Sequence, residues 1–207
     1  MVYRPTEKTE AKKAEIRLKI LSAAKSLVLA GGFRELAMSA VANKAEVATG
    51  SLYRHFANKT DLCTELFCIA SGEEVAHMRS VAESNASAEE KLGLAIETFL
   101  IRAFKGANLA WALIAEPLDP ALEQQRIIYR RNYVDVFVAV INQGIQENTF
   151  AAQNPRIVAT AIVGALAESL VEPLSPETHS QEPYSLEMQQ TLIQQMQSFC
   201  LSAISTK

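Results

Sequence analysis

Residues 32–62 read GFRELAMSAVANKAEVATGSLYRHFANKTDL, and the fold turns on them. Val41, Ala42 and Ala45 are small and apolar, so a second helix can cross a short first one closely. Glu46, Val47 and Ala48 make a three-residue turn with Val47 pointing inward, and Leu52 and Phe56 anchor the helix that follows. A small-residue helix, a tight turn and a second apolar-locked helix make a helix-turn-helix, with its motif at about 37–56. The second helix opens on Thr49, Gly50 and Ser51, whose side chains let a backbone approach a groove floor, and Tyr53, Arg54 and His55 add donors. Lys59 stands where the next helix starts, so its ammonium and the free backbone N–H groups there can share one phosphate.

Working outward, helical spacing continues almost without interruption. Ile16, Ile20, Ala23, Ala24, Leu27 and Val28 recur at that spacing in 8–30, and Gly31-Gly32 closes the segment as a C-cap pair does. The spacing predicts further helices at 38–45, 49–56, 60–83, 88–105, 107–115, 120–147, 154–171 and 185–204. Eight glycines and seven prolines are too few to break up so long a chain, and no stretch alternates with period two. The segment 173–184, PLSPETHSQEPY, is the one obvious loop. The expected class is all-α: a three-helix, helix-turn-helix DNA-binding domain at 1–59, then a larger helical ligand-binding and dimerisation domain at 60–207.

Charge separates the same two regions. The net charge of −3 argues against a nucleic-acid partner, but residues 1–59 carry eleven Lys and Arg against five Glu. A basic head on an acidic body suits a protein that meets phosphate with one end. With 49% hydrophobic and 21% charged residues, a buried core is expected and global disorder is not. The most apolar run, 157–171, is interrupted by Thr160, Glu168 and Ser169, so no membrane span is expected. The polar start MVYRPTEKTEAKKAEIR lacks the apolar centre of a secretory signal. Cys63, Cys68 and Cys200 form no C-x-x-C pair and suit reduced thiols in a cytoplasm.

At residues 12–62 the chain resembles the TetR family of bacterial repressors. The likeness rests on a helix, a Gly-aromatic pair, the small-residue helix-turn-helix, and then L-Y-x-H-F-x-x-K-x-x-L. That last pattern reads here Leu52-Tyr53-Arg54-His55-Phe56-Ala57-Asn58-Lys59-Thr60-Asp61-Leu62. The resemblance implies that Thr49, Gly50, Ser51, Tyr53, Arg54 and His55 lie at or beside the major groove and that Lys59 holds phosphate. It also implies a bacterial cytoplasmic homodimer on a pseudo-palindromic duplex, released by a small-molecule effector, with no cofactor and no catalytic activity. Three residues depart from the pattern: Glu46 replaces a turn Gly, and Ala48 and Ala37 replace capping Ser or Thr. Each departure costs about 1 kcal/mol, with Ser39 and Thr49 as the nearest substitutes for the caps.

Beyond residue 62 the resemblance is architectural only. Residues 133–145 are apolar on nearly every face and read as the buried central helix. Tyr129, Tyr133 and Phe137 recur every four residues, and Phe99, Arg102, Trp111 and Glu116 come from neighbouring helices. This aromatic stripe is either solid core or the wall of an effector cavity. In the second case Arg102, Glu116 and Arg130 would be the polar groups that orient the ligand. Ile157, Ala161, Gly164 and Ala165 on one helix, with Leu192, Met196 and Phe199 on the last, suit a four-helix dimer interface.

Two other classes compete with this reading. A ferritin-like metal enzyme is suggested by Glu74-Val75-Ala76-His77, but it needs a second E-x-x-H and further carboxylates. The other histidines, His55 and His179, lie in the DNA motif and in the expected loop, so no metal site is expected. A small-molecule-binding helical protein with no DNA role leaves the basic head unexplained.

Overall fold

The computed structural model describes residues 7–181 and 183–206, the side chains of 7, 8 and 179–181 excepted. Part of the polar N-terminal stretch and the His179 side chain therefore lie outside the described residues. Among the described residues ten helices follow one another: α1 (Glu7–Gly31), α2 (Met38–Lys44), α3 (Thr49–His55), α4 (Lys59–Ala82), α5 (Ala88–Lys105), α6 (Ala107–Ile114), α7 (Pro120–Gln146), α8 (Pro155–Leu174), α9 (Pro176–Gln181) and α10 (Leu186–Ile204). Among the described residues the only extended pairing is an isolated bridge between Phe150 and Ser205. The all-α expectation holds, and most helix ends fall within a residue or two of the periodicity.

Polar side chains start the long helices. Asn58 accepts from the Asp61 N–H to open α4, and Ser87 and Glu90 close a reciprocal capping box at α5. Asp119 and Asn154 cap α7 and α8, each followed by a proline whose missing N–H is no loss there. Ser185 caps α10. The ends of α7 and α10 are tied together near Phe150. Its N–H and that of Thr149 donate to the Gly144 carbonyl, and its ring lies against Gly144. A Cβ at 144 would come 2.1 Å from the Phe150 ring, so only glycine fits.

Two apolar clusters form the core. One joins Ile20, Ala24, Val28, Val41 and Leu52 of the first three helices, and Phe33, Leu36 and Phe56 of the turns after α1 and α3, to Leu62, Leu66 and Phe67 of α4, and includes Ala112 and Leu122 from farther along the chain. It thus runs across residue 59, where charge and motif suggested a division. The second gathers α4, α5, α7, α8 and α10 around Leu92, Ile96, Leu100, Phe137, Val140, Ile141 and Leu166. α7 lies in its middle, as its apolar faces foretold.

One expectation is corrected in the region after α7. The stretch read as a loop is largely helical: α8 runs on to Leu174 with the buried Pro173 in its last turn, and α9 follows at once. Pro173 has no N–H to donate to the carbonyl of residue 169, and the helix ends one residue later. The segment Pro155–Thr178 is also long and apolar enough, by length and composition, to cross a membrane. Here Ala159, Ile162, Leu166, Leu170 and Leu174 of that segment are buried in the body core.

Candidate functional site

The corner of the helix-turn-helix is locked as its residues require. Val41, Ala42 and Leu52 are essentially inaccessible, and the Val47 N–H donates to the Ala42 carbonyl across the turn. Glu46 sits at φ 56°, the left-handed conformation in which a side chain is strained. Ala37 and Ala48 occupy the N-cap positions and no side chain caps either helix, so neither Ser39 nor Thr49 replaces the missing group.

This leaves α3 with one open face. Thr49, Gly50, Tyr53 and Arg54 are exposed, as is Ser39 on α2, while Ser51 and His55 are half-buried. Nothing lies within 4 Å of where a Gly50 side chain would start, so the backbone there is approachable from outside. Lys12 and Lys13 of α1 join Ser51, Arg54 and His55 around an open surface hollow. These two lysines were not singled out in the sequence, although the basic run at 12–19 was the available signal. Burial, then the positive charges of Arg17 and Lys13, hold His55 below the ordinary imidazole range, so it is uncharged near neutrality. Lys59 is exposed and donates to the Arg34 carbonyl (3.1 Å).

Arg17, also unremarked in the sequence, pins the end of α3. Its guanidinium lies 4.3 Å from the centre of the Phe56 ring, donates to the His55 carbonyl (2.9 Å) and pairs with Glu65 of α4. One side chain thereby joins α1, α3 and α4 through stacking and charge-assisted hydrogen bonds.

The body encloses a cavity of about 300 Å³ among α4, α5, α6, α7 and α8. Of the eight residues proposed for such a site, Phe99, Arg102, Tyr129, Arg130 and Tyr133 line it. Phe137 does not: it is fully buried in the adjoining core. Trp111 packs half-buried against the same core, and Glu116 faces the head instead. Phe67, Leu109, Leu113 and Val163 complete an apolar wall, with Phe99 and Tyr133 packed edge to face at 5.6 Å.

Charge at this cavity is lopsided. Arg102 grips Glu74 through two hydrogen bonds of 2.6 and 2.7 Å, while Lys105, Arg126 and Arg130 line the same space. Glu74 is thus the partner of Arg102, and His77 stands exposed on α4. Burial, followed by the Glu74 charge, pushes the Tyr133 phenol well above its usual range, so it stays a neutral donor. Among the described residues, no group of three His, Cys, Asp or Glu side chains could hold a metal ion.

The suggested pairing surface is mixed. Ile157, Ala161, Gly164 and Phe199 are exposed, whereas Ala165, Leu192 and Met196 are half-buried. Ile157 and Phe199 retain 68% and 60% of their accessible surface, which is high for such large apolar groups.

A helix-turn-helix head on a helical body that encloses a cavity defines a ligand-responsive DNA-binding transcriptional regulator. The chain belongs to the TetR family of bacterial regulatory proteins: residues 20–66 match that family's N-terminal model and residues 85–170 a tetracyclin repressor-like C-terminal domain. Among known proteins, it is 26% identical to the fatty acid metabolism regulator protein of Bacillus subtilis over 156 residues, 74% of this chain and 80% of that one. It is 29% identical over 141 residues to the HTH-type transcriptional repressor KstR2 of Mycobacterium tuberculosis, 65% of this chain and 68% of that protein. The crystal structure of FadR from Bacillus subtilis in complex with stearoyl-CoA shares the fold, with a TM-score of 0.69 and 24% identity, covering 87% of this chain and 97% of that one. The named relatives are transcriptional regulators rather than enzymes.

Proposed function

We propose that this protein is a homodimeric repressor of the bacterial cytoplasm that lets go of a pseudo-palindromic duplex when a long-chain acyl-coenzyme A enters the body cavity. The observation that carries the reading is the cavity's makeup: a wall of Phe67, Phe99, Leu109, Leu113 and Tyr133 beside Arg102, Lys105, Arg126 and Arg130, with Glu74 paired to Arg102 and Glu123 to Arg126. An acyl chain suits the wall and a phosphorylated head suits the cations. The relative crystallised with stearoyl-CoA and the relative named for fatty acid metabolism point the same way.

On the DNA side, Thr49, Gly50, Ser51, Tyr53 and Arg54 meet the groove, and Lys59, Lys12 and Lys13 meet phosphate. Two heads act together through α8 and α10, whose exposed Ile157, Ala161, Gly164 and Phe199 are the pairing groups.

The test uses a duplex selected by the protein from a random-sequence pool, with affinity read by fluorescence anisotropy. Saturating palmitoyl-CoA should weaken binding about 5–150-fold, the usual size of such couplings. Coenzyme A alone and palmitate alone should do far less. If palmitoyl-CoA leaves affinity unchanged, or coenzyme A alone matches it, the effector assignment is wrong.

A further inference from the structure

The turn between α1 and α2 is held from three sides. Gly32 stands at φ 77°, and behind it the successive N–H groups of Phe33 and Arg34 point into one concavity. Such paired N–H groups form an anion-binding nest. The anion here is the protein's own: the Glu116 carboxylate, just past the end of α6, accepts from Phe33 N (2.9 Å) with one oxygen and from Arg34 N (2.7 Å) with the other. A Cβ on Gly32 would come 2.8 Å from that carboxylate, so glycine is required by space as well as by φ. Glu116 is 5% exposed, and a buried carboxylate left without these donors would be costly.

The same residue is gripped from the cavity side. Arg126 lines the cavity and donates to three carbonyls at the C-terminal end of α6: Leu113 (2.9 Å), Ala112 (3.2 Å) and Glu116 (2.6 Å). An aromatic path runs beside this polar one, from Phe33 to Phe67 (5.8 Å) and on to Tyr129 (6.3 Å), where Phe67 and Tyr129 line the cavity. On the far side of the turn, the Arg34 carbonyl accepts from Lys59.

We propose that Glu116 is the positioning residue through which cavity and DNA-reading head sense each other, its carboxylate latched in the Phe33–Arg34 nest and its carbonyl held by Arg126. The proposal rests on the effector-released reading above. A ligand that displaces Arg126 lets go of the end of α6 and carries Glu116 with it. The turn then moves, and with it Lys59 and the start of α2. Conversely, DNA that fixes Lys59 must tighten the wall of the cavity, because coupling between two binding sites is reciprocal.

That reciprocity allows a test with no effector at all. Hydrogen exchange is followed in peptides spanning 106–133 of the full-length protein, with and without the selected duplex. In the wild type, DNA should slow exchange there about five-fold or more; in Glu116→Gln, whose amide presents N–H to one of the two N–H groups, the change should fall below about two-fold. Operator affinity without effector should stay within about five-fold of wild type. A melting curve checks that the variant is folded; if it is not, Glu116→Asp, which stops one methylene short of the nest, takes its place. A folded variant in which DNA still slows exchange as in wild type overturns the proposal, and so does a wild type whose 106–133 segment ignores DNA. With palmitoyl-CoA as the second ligand, the variant should still bind it but lose most of the 5–150-fold weakening of DNA binding. Failure of palmitoyl-CoA to act on the wild type would sink the effector assignment alone, leaving the DNA-only measurement to judge the latch.

Discussion

α2 and α3 are seven residues each and start at Ala37 and Ala48, which offer no side chain to the free N–H groups behind them. α4, α5, α7, α8 and α10 run from 18 to 27 residues, and each starts at a residue whose side chain accepts those N–H groups. Helices shorter than about 12 residues are marginal on their own. The two reading helices therefore exist through the packing of Val41, Leu52 and Phe56, whereas the body helices are specified largely by their own ends. A scaffold of self-sufficient helices can enclose a void and remain rigid. A reader made of dependent helices goes where its core goes. α6 belongs with the dependent kind: it has eight residues and no side-chain cap at its start, and Arg126 holds its end.

The largest expected effect comes from separating the two heads while leaving each one intact. Phe199→Glu places a carboxylate at the centre of the proposed pairing face, where it would be buried without a partner. Sedimentation should show monomers, and operator affinity should fall by about 10²–10⁴ as the two half-sites lose their linkage. A variant that stays dimeric moves the pairing face elsewhere.

Inside the body, the contrast between solid core and cavity wall can be measured directly. Phe137→Ala should lower stability by about 3–5 kcal/mol, the usual cost of removing a fully packed aromatic. Phe99→Ala should cost clearly less, because part of its surface faces the void and already lacks neighbours. Equal losses in thermal unfolding would mean that the void closes in solution.

On the head, a subtler change is expected from Lys59→Ala. Two phosphate contacts are lost per dimer, so the slope of log affinity against log salt should shrink by roughly 1.8. Preference among operator sequences should not change. A changed preference with an unchanged slope would assign Lys59 to bases instead of phosphate.

These contrasts also explain what could be read from residues alone. The corner from Val41 to Phe56 is built from near neighbours in the chain, so spacing and residue size were enough to find it. Every helix with a polar cap was legible for the same local reason. The cavity was legible only in part: five of the eight suggested residues line it, but periodicity says which face of a helix is apolar without saying whether anything fills the space beyond it. Tyr133 and Phe137 lie one turn apart on one stripe, yet one faces the void and the other is sealed in the core. Glu116 was read as a group that would orient a ligand, but its partners are backbone N–H groups more than eighty residues away. Backbone donors leave no mark in a sequence.

The contact between Gly144 and Phe150 bears on how this chain can drift over generations. With a ring 2.1 Å from any β-carbon at 144, that site tolerates no other amino acid while 150 stays aromatic. A smaller residue at 150 would lift the restriction but leave a hole between the ends of α7 and α10. The two positions are therefore bound to change together, and lineages that have lost the glycine should also have lost the phenylalanine.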